Sequence, residues 1–261
     1  MSKVIILGSG AATGVPSLSG GWGKCNPNNP KNYRRRAGVY IESNNTKVLI
    51  DTSPDLKNQL WDNNIKLLDA VLYTHTHADH LHGIDDLRGI TRNLKSPINF
   101  YAIKPHIDEI ISRFGYACAN IMRNDKTNHP ELLPNVIDFY NKFYLNNLSI
   151  IPLKFEGHTI VTTGYSFNEG EIVIVPDFKE IPTETLDYLK NIDVNLLIIP
   201  LTVPYEAEYH AGIETVLKYI SEINPQRAVL THMAVECDYD EVMFATPENV
   251  IPAFDNMIIE M

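Results

Sequence analysis

Four histidines fall within eight residues of the stretch YTHTHADHLHG: His75, His77, His80 and His82, with Asp79 among them. The whole chain has nine histidines. Imidazole nitrogens and a carboxylate at HxHxDH spacing are the donors that Zn²⁺ or Mn²⁺ takes. Packing accommodates a lone histidine. Three histidines and an acid where a strand ends are harder to explain that way, because burying them unpaired is costly. In extended backbone His75 and His77 point to the same side and can face one point. Asp79 and His80 lie on the turn that leaves the strand and can reach a second point. His82 falls outside the spacing and belongs to the surroundings or the surface.

Three more donors sit where apolar runs give way to loops. His158 ends FEGHT, Asp177 follows IVIVP, and His232 ends AVLTH. Strand ends are the usual place for functional side chains on a sheet scaffold. With the cluster they make five histidines and two aspartates, a set large enough for two divalent ions, a bridging carboxylate and open positions.

The elements that must position them alternate in type. VIIL at 4–7, DAVLYT, INFYAI and NLLIIP read as buried strands. GVYIESNNTKVLIDTS reads as a hairpin turning at Asn44-Asn45, residues that tolerate positive φ. LSIIPLKFEGHTI, TTGYSFNEG, EIVIVPD and RAVLTH are further strands. Leu56 and Leu60 are spaced for a helix, as is PHIDEIISRF. A helix over 211–223 puts Ile213, Val216, Leu217 and Ile220 on one face. Residues 115–147 read as a polar, aromatic-containing irregular loop or lid. This mixture fits one α/β domain over 1–261, with two sheets sandwiched between helices, better than an all-parallel sheet.

The composition is that of an ordinary soluble globular protein, 44 % hydrophobic and 21 % charged over 261 residues. A formal charge of −10 disfavours folded RNA as a partner without excluding it. Cys25, Cys118 and Cys237 are far apart and form no CxxC pair, which suits a reducing compartment. MSKVIILGSG is too short in its apolar run for a signal peptide, and no stretch nears the ~18 apolar residues of a membrane span. The expectation is a cytoplasmic protein off the membrane; a homodimer is compatible with the sequence.

HxHxDH at 75–80 followed in order by His158, Asp177 and His232 resembles the metallo-β-lactamase superfamily. The likeness runs nearly end to end, through LGSGAATGVP, GWGKCNPNNPKNYRRR, LIDTSPD, GIDDLRGI and THM. It is nearest in pattern to the phosphoribosyl cyclic phosphodiesterase branch and more distantly to tRNase Z. The resemblance implies the four-layer αβ/βα sandwich, two mixed β-sheets flanked by helices, with two metals at its edge. It implies that His75, His77 and His158 hold one metal, that Asp79, His80 and His232 hold the other, and that Asp177 bridges them. Relatives in that branch also carry a structural zinc on early-loop cysteines and a late histidine. Here the loop has only Cys25 and the late position is Val235, so no structural zinc is expected.

Other residues have narrower readings. His210 precedes the 211–223 helix, whose N-terminus favours an anion. There it could hold a phosphate or protonate a departing alkoxide, and the expectation is the latter. Asp51 and Asp86 are candidates to support the ligands. Asp85, Asp86 and Arg88 could orient the histidines or brace a short helix. The basic run Lys31, Arg34, Arg35, Arg36 could grip phosphate, but local ion pairing is the commoner use. GSGAATG at 8–14 lacks the following helix of a dinucleotide loop and reads as a glycine-rich loop packed near the site.

The activity expected from these parts is hydrolysis of a small, perhaps cyclic, phosphodiester by a water shared between two metals and ionised at neutral pH, with Asp177 orienting it. Carboxyl-ester, thioester or lactone hydrolysis on the same metals is the alternative. RNA processing and a non-catalytic metal-binding role rank below these.

Overall fold

The computed structural model describes residues 2–118 and 130–261. Among these, the strands in chain order are β1 (Lys3–Gly8), β2 (Gly38–Ser43), β3 (Thr46–Ile50), β4 (Ala70–Leu72), β5 (Ile98–Ala102), β6 (Leu132–Val136) and β7 (Phe143–Leu145). They continue with β8 (Leu148–Phe155), β9 (Thr162–Phe167), β10 (Ile172–Ile174), β11 (Leu196–Pro200), β12 (Arg227–Thr231), β13 (Val250–Pro252) and β14 (Met257–Glu260). The helices are α1 (Leu56–Asp62), α2 (Ala78–Leu81), α3 (Leu87–Leu94), α4 (Lys104–Phe114), α5 (Thr183–Lys190), α6 (Ile213–Ile223) and α7 (Tyr239–Ala245).

Two seven-stranded sheets result, in the orders β14-β1-β2-β3-β4-β5-β6 and β13-β12-β11-β10-β9-β8-β7. Each is mixed. In the first, pairing is antiparallel from β14 to β3 and parallel from β3 to β6. In the second, it is parallel from β13 to β10 and antiparallel from β10 to β7.

Burial on both faces explains why the strands read as unbroken apolar runs. Ile6, Ile41, Val48 and Leu72 of one sheet meet Tyr165, Ile174, Ile198 and Val229 of the other in the central layer. Alternate residues turn outward. Ile5, Leu7, Leu49 and Val71 pack with Leu60, Leu81, Ile90 and Ile110 on the helices of the first sheet. Val173, Leu197, Ile199 and Leu230 do the same with Leu189, Val216, Ile220 and Val242 on those of the second. The result is the helix–sheet–sheet–helix sandwich of the metallo-β-lactamase fold.

The hairpin turns where expected, with Asn44 and Asn45 at φ 52° and 61°, the pair of positive values a two-residue turn needs. Two expectations are corrected. Helix α6 starts at Ile213, because Gly212 is extended and caps it (φ −79°, ψ 174°). The 115–147 stretch is only partly irregular: residues 119–129 lie outside the described residues, but β6 pairs with β5 and β7 with β8. Both strands lie at sheet edges, where Pro134 is tolerated and long-range pairing, not local pattern, makes the strand. No helix among the described residues is long and apolar enough to cross a membrane.

Candidate metal centre

The seven donors meet at one end of the two sheets. His75 follows β4, and His77 caps α2, which carries Asp79 and His80. His158 follows β8, Asp177 follows β10 and His232 follows β12. The first sheet thus supplies four donors and the second three. Strand β3 ends in Asp51-Thr52-Ser53, which holds α2 in place. Thr52 N donates to His80 O (2.7 Å), and Gly83 N to Thr52 O (2.9 Å). A Cβ at Gly83 would lie 1.9 Å from Ser53 O, so this approach requires glycine. On the other side α4 pins the loop between the first two histidines. Arg113 Nη1 donates to Thr76 O (2.7 Å), and the Thr76 hydroxyl to Glu109 (2.6 Å).

Two groups of donors form. In one, His77 Nδ1 lies 3.1 Å from His75 Nε2 and 3.0 Å from His158 Nε2. In the other, His232 Nε2 lies 3.4 Å from His80 Nε2, and Asp79 Oδ2 is 3.2 Å from each of those nitrogens. Asp177 Oδ2 stands between the groups, 3.3 Å from His232, 3.7 Å from His80 and 4.0 Å from His158. Ligands 2.0–2.1 Å from a tetrahedral ion are separated by about 3.3 Å. The donor type and spacing therefore fit divalent ions.

Each of the five histidines also has an outer partner. His75 Nδ1 meets Thr74 Oγ1 at 2.9 Å, and that hydroxyl donates to Asp51 Oδ2 at 2.8 Å. His80 Nδ1 donates to the same Oδ2 at 2.7 Å. His158 Nδ1 donates to Tyr209 O (3.3 Å), while His77 Nε2 meets Thr159 Oγ1 (2.9 Å) and His232 Nδ1 meets Thr202 Oγ1 (3.2 Å). A proton fixed on the outer nitrogen leaves the inner lone pair free, the pattern of metal-ligating histidine. Asp51 organises two of the five and is itself buried, at 4 % exposure.

Burial and nearby imidazoles, His80 for His75 and His158 for His77, hold those two rings below the usual imidazole range. In the other group burial opposes charge on His80, but Asp79 and Asp51 beside it raise its pKa well above that range. Burial likewise opposes charge on Asp79 and Asp177. The surrounding histidines, His80 foremost for Asp79 and His232 for Asp177, hold both carboxyls well below the ordinary carboxylate range.

His210 stands at the rim. A ring nitrogen lies within 4.8 Å of donor atoms of His158 and Asp177, and Nδ1 is 3.2 Å from Thr202 Oγ1. Burial, helped by His232 and His158, pushes its pKa down to about 4.

Other sequence candidates lie elsewhere. Asp86 lines a groove with Lys57, Trp61 and Arg92, rather than reaching the ligands. Asp85 and Arg88 pair with each other at 3.9 Å, bracing the start of α3. His82 is exposed and packs its ring against Phe114. The glycine-rich loop does pack beside the site, where Ala11 N donates to Met233 O and Met233 N to Ser9 O.

The basic run divides. Arg35 pairs with Asp62 (2.5 Å) and Arg36 with Asp55 (3.1 Å). Lys31 Nζ lies 3.2 Å from Tyr239 OH. Arg34 is 2 % exposed. Its guanidinium donates to Cys237 O (2.8 Å), Ala234 O (3.4 Å) and Asn32 Oδ1 (3.0 Å), and lies 3.7 Å from Cys25 Sγ. Sequence reading missed this knot, and also Thr74, Thr202, Thr159, Glu109 and Arg113. Thr202 alone left a trace, since it follows the buried run LLIIP as the ligands follow theirs.

The sequence pattern described as the β-lactamase superfamily domain matches residues 46–233. The chain belongs to that superfamily, whose members are mostly hydrolases, and it has the metallo-β-lactamase form of the fold. It is 30 % identical over 257 residues to an octanoyltransferase of Porphyromonas gingivalis (strain ATCC BAA-308 / W83), covering 98 % of this chain and 51 % of that protein. The chain thus spans about half the length of the curated relative it matches. The crystal structure of a diphosphatase from the PhnP family superposes with a TM-score of 0.88 at 23 % identity, covering 100 % of this chain and 98 % of the other. Human tRNase Z, short form, gives a TM-score of 0.68 at 18 % identity, covering 99 % and 98 %.

Proposed function

We propose that the chain is a dinuclear metal-dependent hydrolase of a small phosphodiester. The observation that carries this is the placing of Asp177 Oδ2 between two histidine-rich donor groups, 3.3 Å from His232, 3.7 Å from His80 and 4.0 Å from His158. His75, His77 and His158 would hold one ion and Asp79, His80 and His232 the other, with Asp177 shared. When bound, Zn²⁺ or Mn²⁺ would supply ionised water at neutral pH and offset charge on the phosphoryl oxygen. The nitrogen and oxygen donors suit either ion. Thr74, Asp51, Thr159, Thr202 and Tyr209 O keep the five rings oriented. Asp177 orients the attacking water. The diphosphatase named among the similar structures supports phosphoryl chemistry by analogy of fold.

His210 faces the same space. A ring whose pKa lies near 4 is neutral at neutral pH. That favours hydrogen-bond donation to a phosphoryl oxygen over transfer of a proton to the leaving group, the role expected from sequence. His210→Gln, which can donate but not protonate, then keeps most turnover, whereas His210→Ala loses about 10²-fold.

The first test is cleavage of bis(p-nitrophenyl) phosphate with added Zn²⁺ or Mn²⁺. Turnover that survives His77→Ala in folded, metal-replete protein would sink the assignment. Hydrolysis of an ester, thioester or lactone is the second reading, and the acyl chemistry in the name of the Porphyromonas relative favours it. Acid release from acyl substrates, without phosphodiester cleavage, would select it. An RNA substrate ranks lower because the chain carries a formal charge of −10.

A further inference from the structure

Thr202, the last residue of the LLIIPLT run, stands between two histidines. Its Oγ1 is 3.2 Å from His232 Nδ1 and 3.2 Å from His210 Nδ1. A hydroxyl has one proton to give and two lone pairs with which to accept. His232 turns Nε2 toward Asp79, Asp177 and His80. With that nitrogen committed as a lone pair, its proton sits on Nδ1 and is donated to Thr202. The single Thr202 proton is then available to His210 Nδ1. The Thr202 oxygen can accept twice, but among the described residues His210 Nδ1 is the one other group bonded to it and so the one acceptor there for its proton. With that nitrogen accepting, the His210 proton sits on Nε2.

We infer that Thr202 is a positioning residue that locks His210 in the Nε2–H tautomer, the reverse of its other partner His232. Five histidines then present lone pairs to cations, and a sixth presents an N–H. The ligand this N–H recognises is an oxygen that gains negative charge during reaction, the task of an oxyanion-type donor. The inference rests on the proposed hydrolase reading. It adds to that reading why a histidine surrounded by metal-binding histidines is not simply another ligand: the nitrogen facing Thr202 takes the hydroxyl's proton, so the other keeps its own.

The test is long-range ¹H–¹⁵N correlation spectroscopy on the full chain with labelled histidine and added zinc, alongside turnover of bis(p-nitrophenyl) phosphate. The wild type should show the His210 proton on Nε2. Thr202→Val should move it to Nδ1 or mix the tautomers and lower kcat by about 10²-fold, with KM little changed. Thr202→Ser, which keeps the hydroxyl, should restore both. A wild-type proton on Nδ1, or an unchanged tautomer in Thr202→Val, overturns the inference. The wild-type spectrum needs no variant, so misfolding of Thr202→Val does not shield it. If the lock is present but His210→Ala turns over normally, the role given to His210 in the hydrolase reading fails and the lock stands.

Discussion

The molecule contains two buried polar knots, and they solve the same problem in opposite ways. Around Arg34 the chain provides its own cation. The guanidinium sits among the carbonyls of Ala234 and Cys237, the amide of Asn32 and the thiol of Cys25. Around Asp177 the donor atoms are carboxylate oxygens and imidazole nitrogens, the nitrogens as close as 3.0–3.4 Å, with no arginine or lysine in the set. The first knot carries its cation within the chain, although Arg34 Nε is buried without a hydrogen-bond partner. The second is a set of donors that could hold metal ions, and without them Asp79 and Asp51 favour a proton on His80 by raising its pKa. The knots also touch, since Ala234 N donates to Thr202 O. What separates a structural knot from a reactive one is thus the source of the positive charge.

The comparison can be broken in four ways, taken from the largest expected effect. Asp177→Ala removes the shared acceptor, and turnover should fall by about 10³-fold; phosphodiesterase kinetics at saturating zinc measure it. Near-normal turnover would mean that the two donor groups act separately. Arg34→Met should cost about 3 kcal/mol in urea unfolding, because several buried acceptors lose a charged donor. Added zinc should raise the wild type and Arg34→Met alike, by about 2.7 kcal/mol per site at a hundred times Kd, and leave the gap between them unchanged. Zinc that closed the gap would erase the distinction between the knots.

Asp51→Asn keeps the shape of the acceptor but weakens its hold on His80 and, through Thr74, on His75. Metal affinity by competition titration should drop about 10–100-fold with turnover at saturation less affected. The smallest effect is a proton count. His80 is protonated without ions because its folded pKa is raised, so filling its group at neutral pH should release about one proton. Calorimetry in buffers of different ionisation enthalpy reads it. The His75–His77–His158 group should release less, since burial already keeps His75 and His77 neutral.

The donors were legible in the sequence because their chemistry is rare and their positions follow apolar runs, so each could be placed at a strand end before any contact was known. The fold was legible for a related reason: strands buried on both faces read as apolar blocks. Asp51 and Asp86 looked alike as supporting acids, and only tertiary structure separates them. Asp51 N bonds to Leu72 O across the sheet, which turns its side chain under the histidines. Asp86 points into a surface groove instead. Arg34 could not be told from Arg35 and Arg36, because its burial depends on carbonyls two hundred residues away in sequence. Strands β6 and β7 escaped for want of a local pattern.

His232 and Asp51 both hold left-handed backbone, at φ 56° and 62°. Conformations of this kind cost of order 1–3 kcal/mol in residues other than glycine. Glycine at either position would relax the chain but remove side-chain bonds: Asp51 accepts from Thr74 N, Thr74 Oγ1 and His80 Nδ1. Three buried bonds to a carboxylate outweigh that strain, so Asp51→Gly should unfold at lower urea than the wild type despite its easier backbone.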